Sequence, residues 1–296
     1  MTPPAAPAVS RSRRVALAAL AALTLVWSYN WVVMKEVLQH AGPVGFLAWR
    51  SGLATLVLFA LLRLRGEPLR PPPLLPTALV GLLQIAVFGL LIQWALVDGA
   101  AGRTSLLTYT MPFWLVVLAR FSLGEHMRPA QWAWVGVAAA GLVLVIGPWR
   151  GLGGLASMLM ALGAGLSWAL AVVVSKRLFA RINVTPLSLT AWQMLFGAAV
   201  LIVVACFVPE RPIDWSLPFI GALAYNAVLA SGIAWLLWAY IVQRLPAGVA
   251  GMTSLAIPMF GLLFAWALLG EQPGAVEGIG IGLVALALYG ITRPPR

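Results

Sequence analysis

Charged residues are scarce in this chain of 296 residues: Asp, Glu, Lys and Arg together make up 9% of it, against about 25% in soluble domains. Hydrophobic residues make up 62%, more than a soluble domain of this size could bury in one core. The composition excludes a water-soluble enzyme, a disordered chain and a nucleic-acid-binding protein. It predicts an integral membrane protein whose solvent is the lipid bilayer.

Residues that bind metals or form disulfides are also few. Cys206 is the single cysteine, so no internal disulfide can form, and the two histidines, His40 and His126, lie in predicted loops. No Asp or Glu lies in the middle of an apolar segment, so a buried pair of metal-binding carboxylates is missing. Phosphate-binding and cofactor-binding motifs are absent as well. We therefore expect no enzymatic activity, no cofactor and no metal site.

The sequence does contain ten apolar segments, each close to the 20 or so residues that a transmembrane helix needs. The predicted spans are 15–34, 43–62, 74–97, 104–121, 129–147, 153–174, 187–208, 217–240, 247–268 and 275–292. Short connections rich in Gly, Pro and charge separate them. Residues 1–14 are predicted to form a disordered cytoplasmic tail, and 293–296 a second tail. The fold class predicted is all-α, with ten transmembrane helices.

The basic residues indicate the orientation of these spans. The chain has 19 basic and 8 acidic residues, a net charge of +11, and cytoplasmic loops carry an excess of Lys and Arg. If the N-terminus is cytoplasmic, the basic residues of 63–70 and 176–181 fall inside with those of the N-terminal tail. The outer side then keeps Lys35, Arg103, Arg150 and Arg211. We therefore predict that both termini are cytoplasmic.

The chain also repeats itself at an offset of about 141–146 residues. The matching segments are WSYNWVVMK (27–35) with WALAVVVSK (168–176), PVGFLAWR (43–50) with PLSLTAWQ (186–193), and TMPFWLVVLARFSLGE (110–125) with AIPMFGLLFAWALLGE (256–271). They predict two repeats of five spans, 15–148 and 149–292. Because five is odd, the second repeat enters the membrane from the opposite side. Inverted repeats are typical of secondary transporters, whose substrate site lies between the halves near the midplane.

These segments resemble the drug/metabolite transporter superfamily in its ten-helix EamA-type branch. The resemblance covers nearly the whole chain and includes FLAWR in the second span and IPMFGLLFAWALLGEQP in the ninth. Within that branch the chain is similar to amino-acid exporters of the YddG kind. The resemblance implies a multi-pass exporter of small metabolites in the bacterial inner membrane. It also implies a central cavity lined by spans 1, 3, 4, 6, 8 and 9, with spans 5 and 10 at the periphery.

Polar groups inside the membrane are costly unless they are paired or face a cavity, so each is a candidate for substrate binding. In the first span, Trp27, Asn30 and Trp31 share a helical face, and in the third span Gln84 and Phe88 do. An Asn amide can both donate to a carboxylate and accept from an ammonium group, or it can join two helices. The predicted substrate-binding residues are Trp27, Asn30, Trp31, Gln84, Phe88, Ser105, Tyr109, Trp168, Tyr225, Asn226 and Ser254.

Three further residues are predicted to act as hinges or gates. Pro112 and Pro258 each remove a backbone hydrogen bond inside a span, which can hinge the helix or free a carbonyl for a ligand. Arg50 is the basic residue well inside a span. It either extends to the membrane surface, recognises a carboxylate or locks a gate.

The polar inventory favours a neutral or zwitterionic, partly apolar substrate. A carrier of cationic drugs usually relies on a buried carboxylate, and a carrier of phosphorylated substrates needs cavity Lys or Arg residues. The predicted function is a secondary transporter that exports amino acids or similar metabolites by alternating access. A broad-specificity drug/metabolite exporter is the alternative, and a channel a further one. The driving force, proton antiport or facilitated diffusion, stays open, as does the choice between a monomer and a weak homodimer.

Overall fold

The computed structural model describes residues 7–99, 101–147, 154–269 and 274–292, and within these ranges every regular element is helical. The α-helices are α1 (Pro7–Val37), α2 (Pro43–Leu64), α3 (Leu74–Gly81), α4 (Phe88–Asp98), α5 (Ala101–Thr108), α6 (Met111–Ser122), α7 (Pro129–Ile146), α8 (Leu155–Arg181), α9 (Pro186–Phe207), α10 (Leu217–Tyr225), α11 (Ala234–Arg244), α12 (Ala247–Thr253), α13 (Ala256–Leu269) and α14 (Ala275–Thr292).

In the described part of the chain, seven helical stretches are long and apolar enough to cross a membrane, and two shorter apolar helices accompany them. The all-helical fold class is therefore confirmed, and these helices are those of a multi-pass membrane protein. Each of the ten predicted spans overlaps a helical stretch. The count of ten spans and the orientation of the termini stay predictions.

Helix α1 begins earlier than the first predicted span. It starts at Pro7, inside the segment 1–14 for which the sequence predicts a disordered tail. Proline is well tolerated in the first turn of a helix, and no glycine or second proline separates Pro7 from the apolar run. The helix therefore includes residues 7–14, while residues 1–6 and 293–296 lie outside the described residues.

A π-helical segment interrupts the same span in each half. Leu82–Val87 joins α3 to α4, and Asn226–Ile233 joins α10 to α11. A π-turn is wider than an α-turn and occurs mostly as a local interruption of an α-helix, frequently at a functional site. The α-helices that follow, α4 and α11, contain the same number of residues, 11. The internal repeat of the sequence is thus matched by a repeated irregularity of the backbone.

Both predicted hinge prolines follow an interruption of a helix. Pro112 is the second residue of α6, just after the break at Tyr109, and Pro258 is the third residue of α13, just after the break at Ser254. A proline lacks the N–H that would bond to the carbonyl four residues earlier. The breaks therefore lie where this missing hydrogen bond weakens the helix, and a hinge at these points stays a prediction.

The two halves pack crosswise. Helix α1 of the first half lies against α11 and α13 of the second, whereas α8 of the second half lies against α4 and α6 of the first. Helices at equivalent repeat positions pack directly, α2 on α9 and α7 on α14. Gly141 and Gly280 let α7 and α14 approach closely, because a Cβ added to Gly141 would lie 2.8 Å from the Gly280 carbonyl oxygen. Helices α1 and α8 therefore each pack against helices of the opposite half.

At one end of the bundle, here called the His40 end, the α1–α2 loop is tied to the α9–α10 loop. The Glu210 carboxylate accepts hydrogen bonds of 2.8 Å from the backbone N–H groups of both Val44 and Gly45. His40 Nδ1 lies 2.8 Å from Asp214 Oδ2. A carboxylate near a helix N-terminus also interacts favourably with the helix dipole. These contacts hold the N-terminus of α2 against the second half.

The opposite end, here called the Glu67 end, has a comparable set of contacts. Thr185 Oγ1 donates a 2.5 Å hydrogen bond to the Glu67 carboxylate. The Glu125 carboxylate accepts a 3.0 Å hydrogen bond from the N–H of Ala247 at the start of α12. The sequence places Glu125 and Glu271 as repeat partners that close their helices, and Glu271 lies outside the described residues. Each end of the bundle is thus fastened across the two halves by carboxylate contacts.

Candidate functional site

A cavity with about 30 Å³ of space open to a water-sized molecule lies between α1, α2, α4, α8 and the second π-helical segment. It is here called the larger cavity, to distinguish it from a second, smaller cavity between helices of both halves. Six aromatic residues contribute to its wall: Trp27, Trp31, Phe88, Tyr109, Trp168 and Trp235. Three polar side chains, Asn30, Arg50 and Gln93, line it as well. Small-molecule sites typically combine apolar walls with a few polar groups in this way. Both halves of the chain contribute to the cavity.

Trp168 on α8 is the centre of the aromatic wall. Its ring lies edge to face with Trp27 at a centroid distance of 5.5 Å, with Phe88 at 5.3 Å and with Tyr109 at 5.8 Å. Edge-to-face geometry is a favourable arrangement of aromatic rings. Trp168 is 1% exposed and Tyr109 is 2% exposed. In this conformation the wall is therefore a closely packed set of aromatic rings.

Several polar atoms of the cavity have no hydrogen-bond partner in the described residues. They are Asn30 Oδ1, Arg50 Nε, Gln93 Oε1, Gln93 Nε2 and Trp168 Nε1. Most buried polar groups in proteins are hydrogen-bonded, so an exception requires an explanation. Four such side chains around one cavity leave hydrogen-bonding capacity for water molecules or for a ligand.

Arg50 brings a positive charge to this cavity. Its Nη1 donates to Asn226 Oδ1 at 3.1 Å and to the sulfur of Met34 at 3.4 Å. Within the described ranges no Asp or Glu forms an ion pair with it, and the side chain is 8% exposed. A buried cation without a counter-charge is unfavourable. Its surroundings would therefore favour a ligand with a negative group.

The structure brings together six of the eleven predicted substrate-binding residues and one predicted gating residue. Those that line the larger cavity are Trp27, Asn30, Trp31, Phe88, Tyr109, Trp168 and Arg50. They come from α1, α2, α4, α8 and the α5–α6 junction. The residues selected on α1 by helical spacing do share one face of that helix. Substrate binding by these residues stays a prediction.

The other five predicted residues do not line the larger cavity. The hydroxyls of Ser105 and Ser254 donate to carbonyls of their own helices, at 2.8 Å to Gly102 and 2.7 Å to Gly251. Short hydroxyl side chains often bond back to the preceding turn in this way. These two hydroxyls are therefore hydrogen-bonded to the backbone of the preceding turn.

Tyr225 and Asn226 also have partners elsewhere. The Tyr225 hydroxyl donates to the Val26 carbonyl at 2.6 Å, which fastens α10 to α1. Asn226 is fully buried and accepts the hydrogen bond from Arg50. It does not line the larger cavity, but its contact holds the guanidinium of Arg50 in place there. Gln84 lines a second, smaller cavity with about 10 Å³ of space open to a water-sized molecule. It lies in the first π-helical segment, and Phe88, four residues later, lines the larger cavity instead.

Gln93 and Trp235 line the larger cavity but are missing from the predicted set. Gln93 is fully buried, and its signal in the sequence is an amide in the apolar run FGLLIQWALV, the same kind of signal that selected Gln84. For Trp235 the sequence offers no signal that separates a cavity wall from ordinary packing. The described residues contain no group of three or more His, Cys, Asp and Glu that could hold a metal ion.

The chain is similar to known transporters over most of its length. The family model for the EamA-like transporter family matches residues 14–147 and 155–293, two segments that nearly coincide with the predicted repeats 15–148 and 149–292. The transporter YoaV of Bacillus subtilis is 28% identical over 260 residues, covering 84% of this chain and 87% of YoaV. The inner membrane transporter YedA of Escherichia coli is 25% identical, covering 93% and 89%.

Two further similarities bear on substrate and fold. A biotin transporter of Escherichia coli is 28% identical over 298 residues, covering 94% of this chain and 93% of that protein. A solved crystal structure superposes with a TM-score of 0.77, covering 94% of this chain and 97% of the other at 21% identity. That likeness supports the fold alone. The resemblance to the EamA-type branch is confirmed, whereas the finer similarity to YddG-type amino-acid exporters stays a prediction.

Proposed function

The chain belongs to the EamA-like transporter family, and we propose that it exports small zwitterionic metabolites across the bacterial inner membrane. Amino acids with aromatic or other apolar side chains are the proposed substrates. Transport proceeds by alternating access of two inverted halves with ten spans and cytoplasmic termini. The crosswise packing of α1 and α8 and the repeated helix interruptions support this architecture.

The larger cavity is the observation that carries the proposal. Arg50 and the Trp168 N–H offer donors to a carboxylate, and Asn30 Oδ1 offers an acceptor to an ammonium group. The aromatic wall offers an apolar surface to a side chain. In a zwitterion with an apolar side chain, the carboxylate would pair with the donors, the ammonium group with the acceptor, and the side chain with the aromatic wall. A charge-assisted hydrogen bond from Arg50 would also supply the missing negative partner.

A broad-specificity drug/metabolite exporter is the second candidate. The six aromatic residues of the cavity would suit many flat apolar molecules, and this observation favours a broad range of substrates. The uncompensated charge of Arg50 disfavours organic cations, because two positive charges would then share a desolvated site. Biotin, the substrate in the name of one relative, is a carboxylic acid and belongs in any substrate panel.

The purified protein in liposomes tests the proposal by counterflow. Vesicles loaded with unlabelled L-phenylalanine should accumulate labelled L-phenylalanine, and a tenfold excess of another apolar amino acid should compete. Arg50→Gln should raise the apparent KM about ten- to hundredfold, because one charge-assisted bond to the substrate is lost. Arg120→Gln, the same change at an exposed residue of α6, is the control. Accumulation of ethidium but of no amino acid would instead support the drug exporter.

A further inference from the structure

The smaller cavity lies between the first π-helical segment, α8, α9 and α11. Gln84, Ser175, Gln193 and Trp238 are among the residues that line it. Gln84 and Gln193 are each 2% exposed. Neither amide has a hydrogen-bond partner in the described ranges, whereas Ser175 donates to the Ala171 carbonyl at 2.9 Å. Two buried amides with free hydrogen-bonding capacity therefore border this space.

The residues of the smaller cavity are repeat counterparts of those in the larger one. The sequence repeat pairs Met34 with Ser175 and Arg50 with Gln193. The first member of each pair lines the larger cavity, and the second lines the smaller. The two cavities are thus equivalent positions in the two halves of the chain.

Two lysines place the cavities near opposite ends of the bundle. Lys35 directly follows Met34, and its ammonium donates to the Leu96 carbonyl at the C-terminal end of α4 at 2.5 Å. Lys176 directly follows Ser175 and donates to the Leu245 carbonyl at the end of α11 at 2.9 Å. Lysine is favourable at a helix C-terminus. The larger cavity therefore lies towards the His40 end, and the smaller towards the Glu67 end.

Trp27 and Trp168 stand between the two cavities. Both line the larger one, and Trp238 of the smaller cavity lies 5.1 Å from Trp168 between ring centroids. Movement of this aromatic wall would connect one space with the other. The two spaces differ in charge, because the guanidinium of Arg50 is replaced by the neutral amide of Gln193.

We infer that the smaller cavity is a second substrate site, which binds the transported zwitterion through the amides of Gln84 and Gln193 when the Glu67 end is open. This inference rests on the proposed transport function. An amide offers both an N–H donor for a carboxylate and a carbonyl acceptor for an ammonium group. Because a neutral donor binds a carboxylate less strongly than a guanidinium does, the affinity at this site is the lower of the two.

Single-cysteine labelling tests the second site directly. Cys206, the native cysteine, is exposed, and Cys206→Ser provides a cysteine-free background. Met34→Cys and Ser175→Cys then place one thiol in each cavity at matched repeat positions. We expect 10 mM L-phenylalanine to slow the reaction of a small membrane-permeant methanethiosulfonate at least threefold at both positions. Labelling of native Cys206 in the unmodified chain should not change.

Flux from each side provides the second measurement. In vesicles of known orientation, Gln193→Met should raise the KM for L-phenylalanine entering from the Glu67 end at least about tenfold, with less than a twofold change from the His40 end. If L-phenylalanine protects Met34→Cys but not Ser175→Cys, the second site is refuted while the transport proposal stands. If neither position is protected and the wild type shows no flux, the proposed function itself fails. If Gln193→Met does not reach the membrane, protection of Ser175→Cys alone decides.

Discussion

Trp27 and Trp168 occupy equivalent positions in the two sequence repeats, and their rings meet edge to face with centroids 5.5 Å apart. Their indole N–H groups nevertheless differ. Trp27 Nε1 donates to the Ala230 carbonyl at 3.0 Å, whereas Trp168 Nε1 has no partner in the described residues. Trp27 is thus fastened to the π-helical segment of the other half, and Trp168 keeps a free donor beside the larger cavity.

Trp168→Ala should change which amino acids are transported. The substitution removes the central ring of the aromatic wall, so bulkier side chains should gain in kcat/KM relative to small ones. Competition by a panel of amino acids in the counterflow assay measures this change. Trp132→Ala, at an exposed position of α7, is the matched control. An unchanged order of preference in a well-expressed Trp168→Ala protein would refute its role in the wall.

Asn30→Ala should weaken substrate binding while the protein still reaches the membrane. Losing one hydrogen bond to a charged group costs about 1.5–3 kcal/mol, or about ten- to hundredfold in affinity. Because Asn30 Oδ1 has no protein partner in the described part of the chain, its removal leaves no other group unpaired. The apparent KM should therefore rise without a fall in thermal stability. A lower melting temperature with a normal KM would indicate that Asn30 joins helices instead.

Glu125→Gln should affect folding or gating and leave proton coupling unchanged. The Glu125 carboxylate bonds the N-terminus of α12, where a negative charge contributes about 0.3–1 kcal/mol. We expect a small fall in the melting temperature of the detergent-purified protein and normal counterflow. Glu36→Gln, which removes the same charge at an exposed residue of α1, is the control. Loss of a proton-driven exchange with intact counterflow would contradict this expectation.

How far the sequence predicts the site depends on which helix is considered. On α1, a regular helix, the spacing of Trp27, Asn30 and Trp31 correctly predicts a shared face. On the third span the same reasoning groups Gln84 with Phe88, but the two side chains line different cavities. A shared helical face shows which side of a helix two residues occupy. It does not decide which of two neighbouring cavities each side chain borders, because that depends on the helices packed against it.

Polar side chains inside the spans are harder to assign from sequence. Asn30 and Ser254 are both polar residues in apolar runs, so the sequence treats them alike. The structure separates them: Ser254 bonds to its own helix, and Asn30 leaves its oxygen free. Whether a polar group bonds within its helix depends on its rotamer and on neighbouring helices, which a single sequence does not specify.

Acid should loosen the His40 end of the bundle. The hydrogen bond from His40 and a second from Ser216 lower the pKa of Asp214 below its usual value of 3.8. A carboxyl whose pKa is lower in the folded state contributes stability above its unfolded pKa and loses it as the pH falls through the folded pKa. The contact should therefore persist at neutral pH and be lost only below about pH 3.8.

Hydrogen exchange of residues 38–42, measured between pH 7 and pH 3 and corrected for intrinsic rates, would detect this loosening. Asp214→Asn should exchange fast at every pH, because its side chain can no longer carry the charge. The wild-type chain and Asp214→Asn are compared at each pH. If acid raises the exchange of residues 38–42 as much in Asp214→Asn as in the wild-type chain, the effect does not depend on Asp214.

The orientation of the chain can be read from two single-cysteine variants at opposite ends. In the Cys206→Ser background, Gln39→Cys lies at the His40 end and Leu69→Cys at the Glu67 end, and both native side chains are exposed. Because Arg63, Arg65 and Arg70 flank residue 69, the excess of basic residues in cytoplasmic loops places the Glu67 end inside. A membrane-impermeant maleimide should therefore label Gln39→Cys in intact cells but should label Leu69→Cys only after lysis. The reverse pattern would invert the topology, and it would then place the larger cavity with Arg50 on the cytoplasmic side.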